Sequence, residues 1–299
     1  MEKKLNHLNT RLVGILRTKA GTPAANAISA IQTAFDAGAE AVEVTSNSDH
    51  WQDILDECVK RNLNIGVGSI KNKKLAEEAV SHGAKFLVSP GFFEDAIEVA
   101  NKNNISILPG VFTDPNFKQA VELKIKDVKF FPANASTHEE LFKAISEPFR
   151  DEFDELAKKG IEITYFDSFI YQNSSFRRPN IVFSPTQFYK LYLEAMSSRA
   201  SGEDIKIVIK LPDEKQGPQR LKDFANGLFQ HGIRTYAVGG VNDKNMKEVL
   251  TKYGAYGVCP GSGMFNSDAI FKGDFERVRT DVKRHVEVIK SLGFEAARS

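Results

Sequence analysis

The chain has 299 residues, and its 40 lysines and arginines nearly balance 39 aspartates and glutamates. That balance offers no broad basic field for nucleic acid or for an anionic membrane surface. No apolar run reaches the length of a membrane span, and the length suits one large α/β barrel or two smaller domains.

In chain order, short β-branched runs alternate with helical patterns. Residues 12–17 read as a strand. Residues 24–37 read as a helix, with Ile28, Ile31, Ala34 and Phe35 at helical spacing and Gly38 as a stop. Strands follow at 41–45, 65–70, 86–89, 105–108 and 128–131. Helices at 51–61, 74–81, 93–101 and 117–123 separate them. This βαβα order predicts a parallel sheet with helices outside. Small polar or glycine residues follow the strands: Thr45-Ser46-Asn47, Gly68-Ser69, Ser89-Pro90-Gly91 and Pro109-Gly110. In a barrel such strand ends form the active-site rim, although each run alone also reads as an ordinary turn.

From about residue 134 the alternation breaks. A helical stretch at 139–159, broken near Pro148, precedes a strand-like run at 161–169. A polar, aromatic segment containing Arg177 and Arg178 follows, then a helix at 185–197 and a strand at 205–211. Alternation resumes with a helix at 219–231 and a strand at 234–238 ending in Gly239-Gly240. A helix at 242–253, a strand at 256–259 ending in Pro260-Gly261-Ser262-Gly263, and a closing helix at 275–292 complete the chain. Without the middle segment the count is eight strands.

Cys58 and Cys259 stand far apart, with no metal-ligand or redox spacing. No apolar stretch follows the charged start of the chain. Both features point to a soluble protein of the reducing cytoplasm.

The lysine in Asp127-Val128-Lys129-Phe130-Phe131-Pro132 is an odd choice for an apolar strand. It could be a strand-end lysine that snorkels to water. If buried, its amine is driven toward the neutral form, which can attack a carbonyl and form a Schiff base.

Seven segments in order carry a resemblance. They are Val42-Glu43-Val44-Thr45, Gly66-Val67-Gly68-Ser69, Val88-Ser89-Pro90-Gly91, Leu108-Pro109-Gly110-Val111, Val128-Lys129-Phe130-Phe131-Pro132, Gly239-Gly240-Val241 and Gly261-Ser262. Together they resemble the 2-keto-3-deoxy-6-phosphogluconate (KDPG) and 4-hydroxy-2-oxoglutarate (KHG) aldolases over about 12–134 and 217–268. The resemblance implies a TIM (β/α)8 barrel, an α/β fold, with a large insertion after the sixth strand. The barrel would comprise 1–134 and 217–299, and the inserted subdomain or lid 135–216.

The implied activity is that of a class I lyase, cleaving KDPG or a related 2-keto-3-deoxy or 4-hydroxy-2-oxo acid to pyruvate and an aldehyde. Lys129 would form the imine and Glu43 would move protons. Arg17, Ser69, Pro90, Phe131 and Asn47 would contact substrate. The turns at Gly239, Gly240, Gly261 and Ser262 would hold its phosphate. No metal or other cofactor is implied. The partner is a small keto acid, with no nucleic acid or membrane, and the assembly a homotrimer.

Three departures from the family pattern stand out. Asn47 takes the place of an arginine, and Val238 takes that of a hydroxyl-bearing residue before Gly239-Gly240. An amide grips an anion less well than a fixed cation. The third departure is the long middle segment, where Arg177 or Arg178 could replace the lost charge. If residues 217–222 begin the sixth helix, the segment lies on the catalytic face. If 139–149 form that helix, it lies on the opposite face. Ile207-Val208-Ile209-Lys210-Leu211-Pro212 also offers a rival lysine. Two other functions stay open: a phosphate-binding epimerase or isomerase, and a weakened barrel serving as a binding or assembly protein.

Overall fold

The computed structural model describes residues 8–111, 113–133, 146–166, 180–182, 185–197, 206–210 and 217–293. The first half alternates strictly: β1 (Val13–Leu16), α1 (Ala24–Asp36), β2 (Ala41–Thr45), α2 (Trp51–Lys60), β3 (Ile65–Gly68), α3 (Lys73–Ser81), β4 (Phe86–Val88), α4 (Glu94–Asn103), β5 (Ser106–Leu108), β6 (Gly110–Val111), α5 (Asp114–Glu122) and β7 (Asp127–Phe130). A 3-10 turn (Glu147–Phe149) leads into α6 (Arg150–Lys158), β8 (Glu162–Phe166), β9 (Asn180–Val182), α7 (Pro185–Ser197) and β10 (Lys206–Lys210). Then come α8 (Gly217–Gln230), β11 (Arg234–Val238), α9 (Met246–Thr251), β12 (Gly257–Cys259), α10 (Ser267–Lys272) and α11 (Phe275–Ser291).

The strands close a barrel. β1 to β5 pair in sequence order, and β12-β11-β7-β6 form the other arc, all parallel. β6 continues β5 past Pro109, whose carbonyl accepts from Lys129 N at 2.9 Å. A parallel bridge between Leu12 and Val258 joins the arcs on the other side, where Ile15 N donates to the Pro260 carbonyl at 2.9 Å. Every barrel strand is therefore hydrogen-bonded on both edges, which removes exposed strand edges.

Strand alternation sorts the side chains. Phe130 of β7 points out to α8, where its ring meets Phe224 at 5.3 Å, so Lys129 points in. Val42 and Val44 of β2 are fully buried on either side of Glu43. At the barrel's lower end Asp127 is salt-bridged to Arg234 through two oxygens at 2.6 and 2.9 Å. Asp127 also accepts from Leu8 N, and the Tyr236 hydroxyl donates to the Leu8 and Thr10 carbonyls. These bonds satisfy polar groups that burial would otherwise penalise.

Residues 146–210 contain a second, three-stranded parallel sheet of order β8-β10-β9. In the chain this sheet falls between β7 and α8, and α8 packs on β11 and α5 as the helix linking the sixth and seventh barrel strands. The sheet's helices meet the barrel at the strand C-termini. Asn47 Nδ2 donates to the Glu147 carbonyl at 2.9 Å, Asn72 Nδ2 donates to the Tyr189 hydroxyl at 2.9 Å, and Phe92 N donates to Thr186 Oγ1 at 2.9 Å. Lys71 forms a buried ion pair with Glu152 and donates to the Pro148 carbonyl at 3.3 Å. Three successive rim loops, after β2, β3 and β4, thus carry the attached segment. Phe149, Phe153, Phe188 and Tyr189 pack between them as an aromatic cluster.

Most elements fall within a few residues of expectation. Of the helical stretch expected at 139–159, residues 139–145 lie outside the described residues; the rest holds a 3-10 turn followed by α6, with the expected break at Pro148, which cannot donate a backbone hydrogen bond. The short β9 and α10 have no counterpart in the sequence reading. Arg177 and Arg178 lie outside the described residues, as does the side chain of Lys210.

Candidate active site

A cavity of about 660 Å³ opens at the C-terminal ends of the barrel strands. Of the expected site residues, Lys129, Glu43, Arg17, Phe131, Gly239, Gly240, Gly261 and Ser262 line it together. Ser69, Pro90 and Asn47 are not among its lining residues. Ser69 is buried in a left-handed backbone conformation (φ 60°), and its carbonyl accepts from Ser46 Oγ.

Lys129 and Glu43 face each other across the barrel interior with 5% and 1% exposure. Room for the carboxyl comes from Gly68 on the neighbouring strand, where a β-carbon would lie 2.3 Å from Glu43 Oε1. Burial pushes the Glu43 carboxyl up to about 7, against the pull of Lys129 and Arg17. Burial also lowers the Lys129 amine, with Glu43 opposing. Desolvation therefore outweighs attraction in both groups, which brings an acid and an amine toward each other in proton affinity. Glu43 Oε2 has no hydrogen-bond partner among the described residues, leaving an acceptor for an incoming group. The Lys129 ammonium sits 4.6 Å from the Phe131 ring centre, and the Phe131–Pro132 peptide is cis. Cys259 also lines the cavity, and its thiol is pushed well up by burial, so it stays neutral.

Two glycine turns form the outer wall. Gly239 and Gly240 have positive φ (86° and 71°), and a β-carbon at Gly239 would come within 3.0 Å of the Phe131 ring. Only glycine takes that backbone at that approach without strain. Gly261, Ser262 and Gly263 form the second turn, and Asn242, Asn245 and Ser267 complete this polar side. Successive backbone N–H groups in such turns suit an anion.

Among the lining residues that sequence reasoning did not find, Glu147, Pro148 and Arg150 come from the segment between β7 and α8. Arg150 Nη2 donates to the Asn47 carbonyl at 2.9 Å, so a cation stands beside the position where the family resemblance lacked one. Glu147 Oε2 lies 3.8 Å from Arg17 Nη1. That guanidinium nitrogen is buried and has no hydrogen-bond partner among the described residues.

Residues 4–174 match the family model described as KDPG and KHG aldolase. The chain belongs to this family. A 2-dehydro-3-deoxy-phosphogluconate aldolase of Pseudoalteromonas atlantica is 31% identical over 116 residues, 38% of this chain and 54% of that protein. A KHG/KDPG aldolase of Escherichia coli K12 is 29% identical over 114 residues, again 38% and 54%. The chain thus spans about half the length of the curated relatives it matches. The fold agrees with solved family structures. KDPG aldolase from Legionella pneumophila, with pyruvate captured as a covalent carbinolamine, superposes with a TM-score of 0.56 at 17% identity, covering 92% of this chain and 93% of that one. The barrel is therefore the family's α/β barrel. Among the described residues, no helix is long and apolar enough to cross a membrane.

Proposed function

We propose that this KDPG/KHG-family protein is a class I aldolase that cleaves a 2-keto-3-deoxy acid, such as KDPG, to pyruvate and an aldehyde. The observation that carries the reading is the buried pair of Lys129 and Glu43 in one cavity, the amine lowered and the carboxyl raised to about 7. A neutral Lys129 amine attacks the C2 carbonyl. Glu43 passes a proton to the departing oxygen, and water leaves to give the protonated imine. Glu43, now a carboxylate, takes the proton of the C4 hydroxyl, the C3–C4 bond breaks, and its electron pair moves into the imine. The aldehyde departs, C3 of the resulting enamine takes a proton, and water returns to release pyruvate. A carboxyl near 7 suits a group that both gives and takes protons at neutral pH.

Arg17 is the cation for the keto-acid carboxylate, and the Gly239, Gly240, Gly261 and Ser262 turns take a terminal phosphate. Phe131 packs against the reacting end. Asn47 acts by positioning, through its bond to the Glu147 carbonyl, and Ser69 and Pro90 shape the rim. In this reading residues 1–134 and 217–299 form the barrel, 135–216 a cap on its catalytic face, and the protein works as a cytoplasmic homotrimer.

Borohydride reduction in the presence of pyruvate, followed by peptide mapping, tests the chemistry. The expected adduct is on Lys129, and a label on Lys210 would sink the assignment. A cleavage assay on phosphorylated and unphosphorylated keto-deoxy acids, with Lys129→Ala as control, tests the substrate class.

A further inference from the structure

The cap places a carboxylate, not only a cation, inside the cavity. Glu147 stands 3.8 Å from Arg17 Nη1 with half its side chain exposed. Its place is fixed by neighbours. Its carbonyl accepts from Asn47, the Pro148 carbonyl accepts from Lys71, Arg150 returns a bond to the Asn47 carbonyl, and Glu152 closes the ion pair with Lys71. Four residues of one short run are thereby tied to two rim loops, so the backbone that carries the Glu147 side chain is held in place.

The charges lining the cavity can be matched one against another. Its cations are Arg17, Lys19, Lys129 and Arg150, and its carboxylates are Glu43 and Glu147. Lys19 is engaged by Asp268 at 2.5 Å. Lys129 faces Glu43 and, under the proposed function, is consumed in the imine. Arg17 and Arg150 remain, with Glu147 already set against Arg17. One incoming carboxylate leaves this corner neutral; a second carboxylate in the same corner, away from the glycine turns, would face Glu147 with no cation left among the described lining residues.

We propose that Glu147 is a specificity-determining residue that limits the cavity to keto acids with a single carboxylate and excludes 2-oxodicarboxylates. This rests on the keto-acid reading and narrows it to one substrate class. Like-charge placement of this kind selects by penalising the wrong partner.

The test is the binding of 2-oxobutyrate and 2-oxoglutarate, measured by calorimetry on the full chain and on Glu147→Gln, each also in a Lys129→Met background. The expected wild-type protein prefers the monocarboxylate. Glu147→Gln shrinks that preference about tenfold, the equivalent of one relieved charge contact. Arg150→Gln widens it. Circular dichroism confirms that both half-exposed positions tolerate the change. A preference that moves less than about twofold in Glu147→Gln overturns the inference, even where pyruvate is still trapped on Lys129. If neither acid binds, the inference falls together with the keto-acid reading. If the preference shifts but Lys129→Met leaves all affinities and borohydride trapping unchanged, the inference stands and the imine assignment fails.

Discussion

Glu43 is seated against Gly68: a β-carbon on that glycine would lie 2.3 Å from Oε1 and 2.7 Å from the carboxyl carbon. The second glycine of Gly66-Val67-Gly68 therefore makes space for an acid on the next strand. Gly66 does the same for the ring of Phe86.

Gly68→Ala should displace the carboxyl without removing it. Overpacking a filled interior costs about 1–3 kcal/mol, which chemical denaturation would register. The larger effect is on the proton transfers, so kcat should fall by about a hundredfold, within the usual reach of acid–base catalysis, with imine trapping slowed in parallel.

The Glu43 carboxyl also sets a pH dependence. Its value in the folded protein, about 7, is above the ordinary 4.5, so the folded chain keeps a proton that the unfolded chain releases. Stability from this group is full below the ordinary value and is lost as pH rises through about 7. Glu43→Gln lacks that loss. Melting temperatures of wild type and variant should therefore diverge in the variant's favour as pH rises from about 5 to 8, and parallel curves would contradict the burial argument.

Lys129→Met should push the Glu43 carboxyl above about 7, because the amine's opposing pull is removed. Carboxyl infrared bands followed through a pH titration would show it. The same variant should give no borohydride adduct with pyruvate.

Lys71→Met leaves Glu152 buried without its cation, and breaking such a pair costs about 3–5 kcal/mol. The loss should be local: amides of α6 should exchange faster while those of β2 and β7 keep their protection. Lys71→Met with Glu152→Leu should restore much of the slow exchange, since a packed apolar pair replaces the ion pair at little cost.

The barrel was legible because its strands are short apolar runs bounded by glycine and small polar residues, and its helices carry a clear apolar stripe. Lys129 stood out since it interrupts such a run, Glu43 stood out through the family resemblance, and alternation then aims both inward. Glu147 and Arg150 were not legible. Their relation to the site depends on Asn47, 100 residues away in sequence from Glu147, and nothing local marks it. Asn47 read as a substrate contact that stands where a cation is missing, whereas its amide and carbonyl both hold the cap. The helix read at 117–123 begins at Asp114, so Pro115 lies inside it rather than before it. Proline is equally at home in a first helical turn.

The cap's attachment to the loops after β2, β3 and β4 makes the mouth of the barrel one-sided. Its described part stands over those strands, and among the described residues the opposite side of the cavity is walled by the glycine turns after β11 and β12. A molecule that reaches Lys129 from that side enters reacting end first and keeps its far end at the doorway. Under the proposed function, the fragment released by cleavage then already stands at the exit, while the portion bound to the lysine stays behind it. The direction of the entrance and the covalent hold on the lysine then favour the same order of departure, aldehyde before pyruvate.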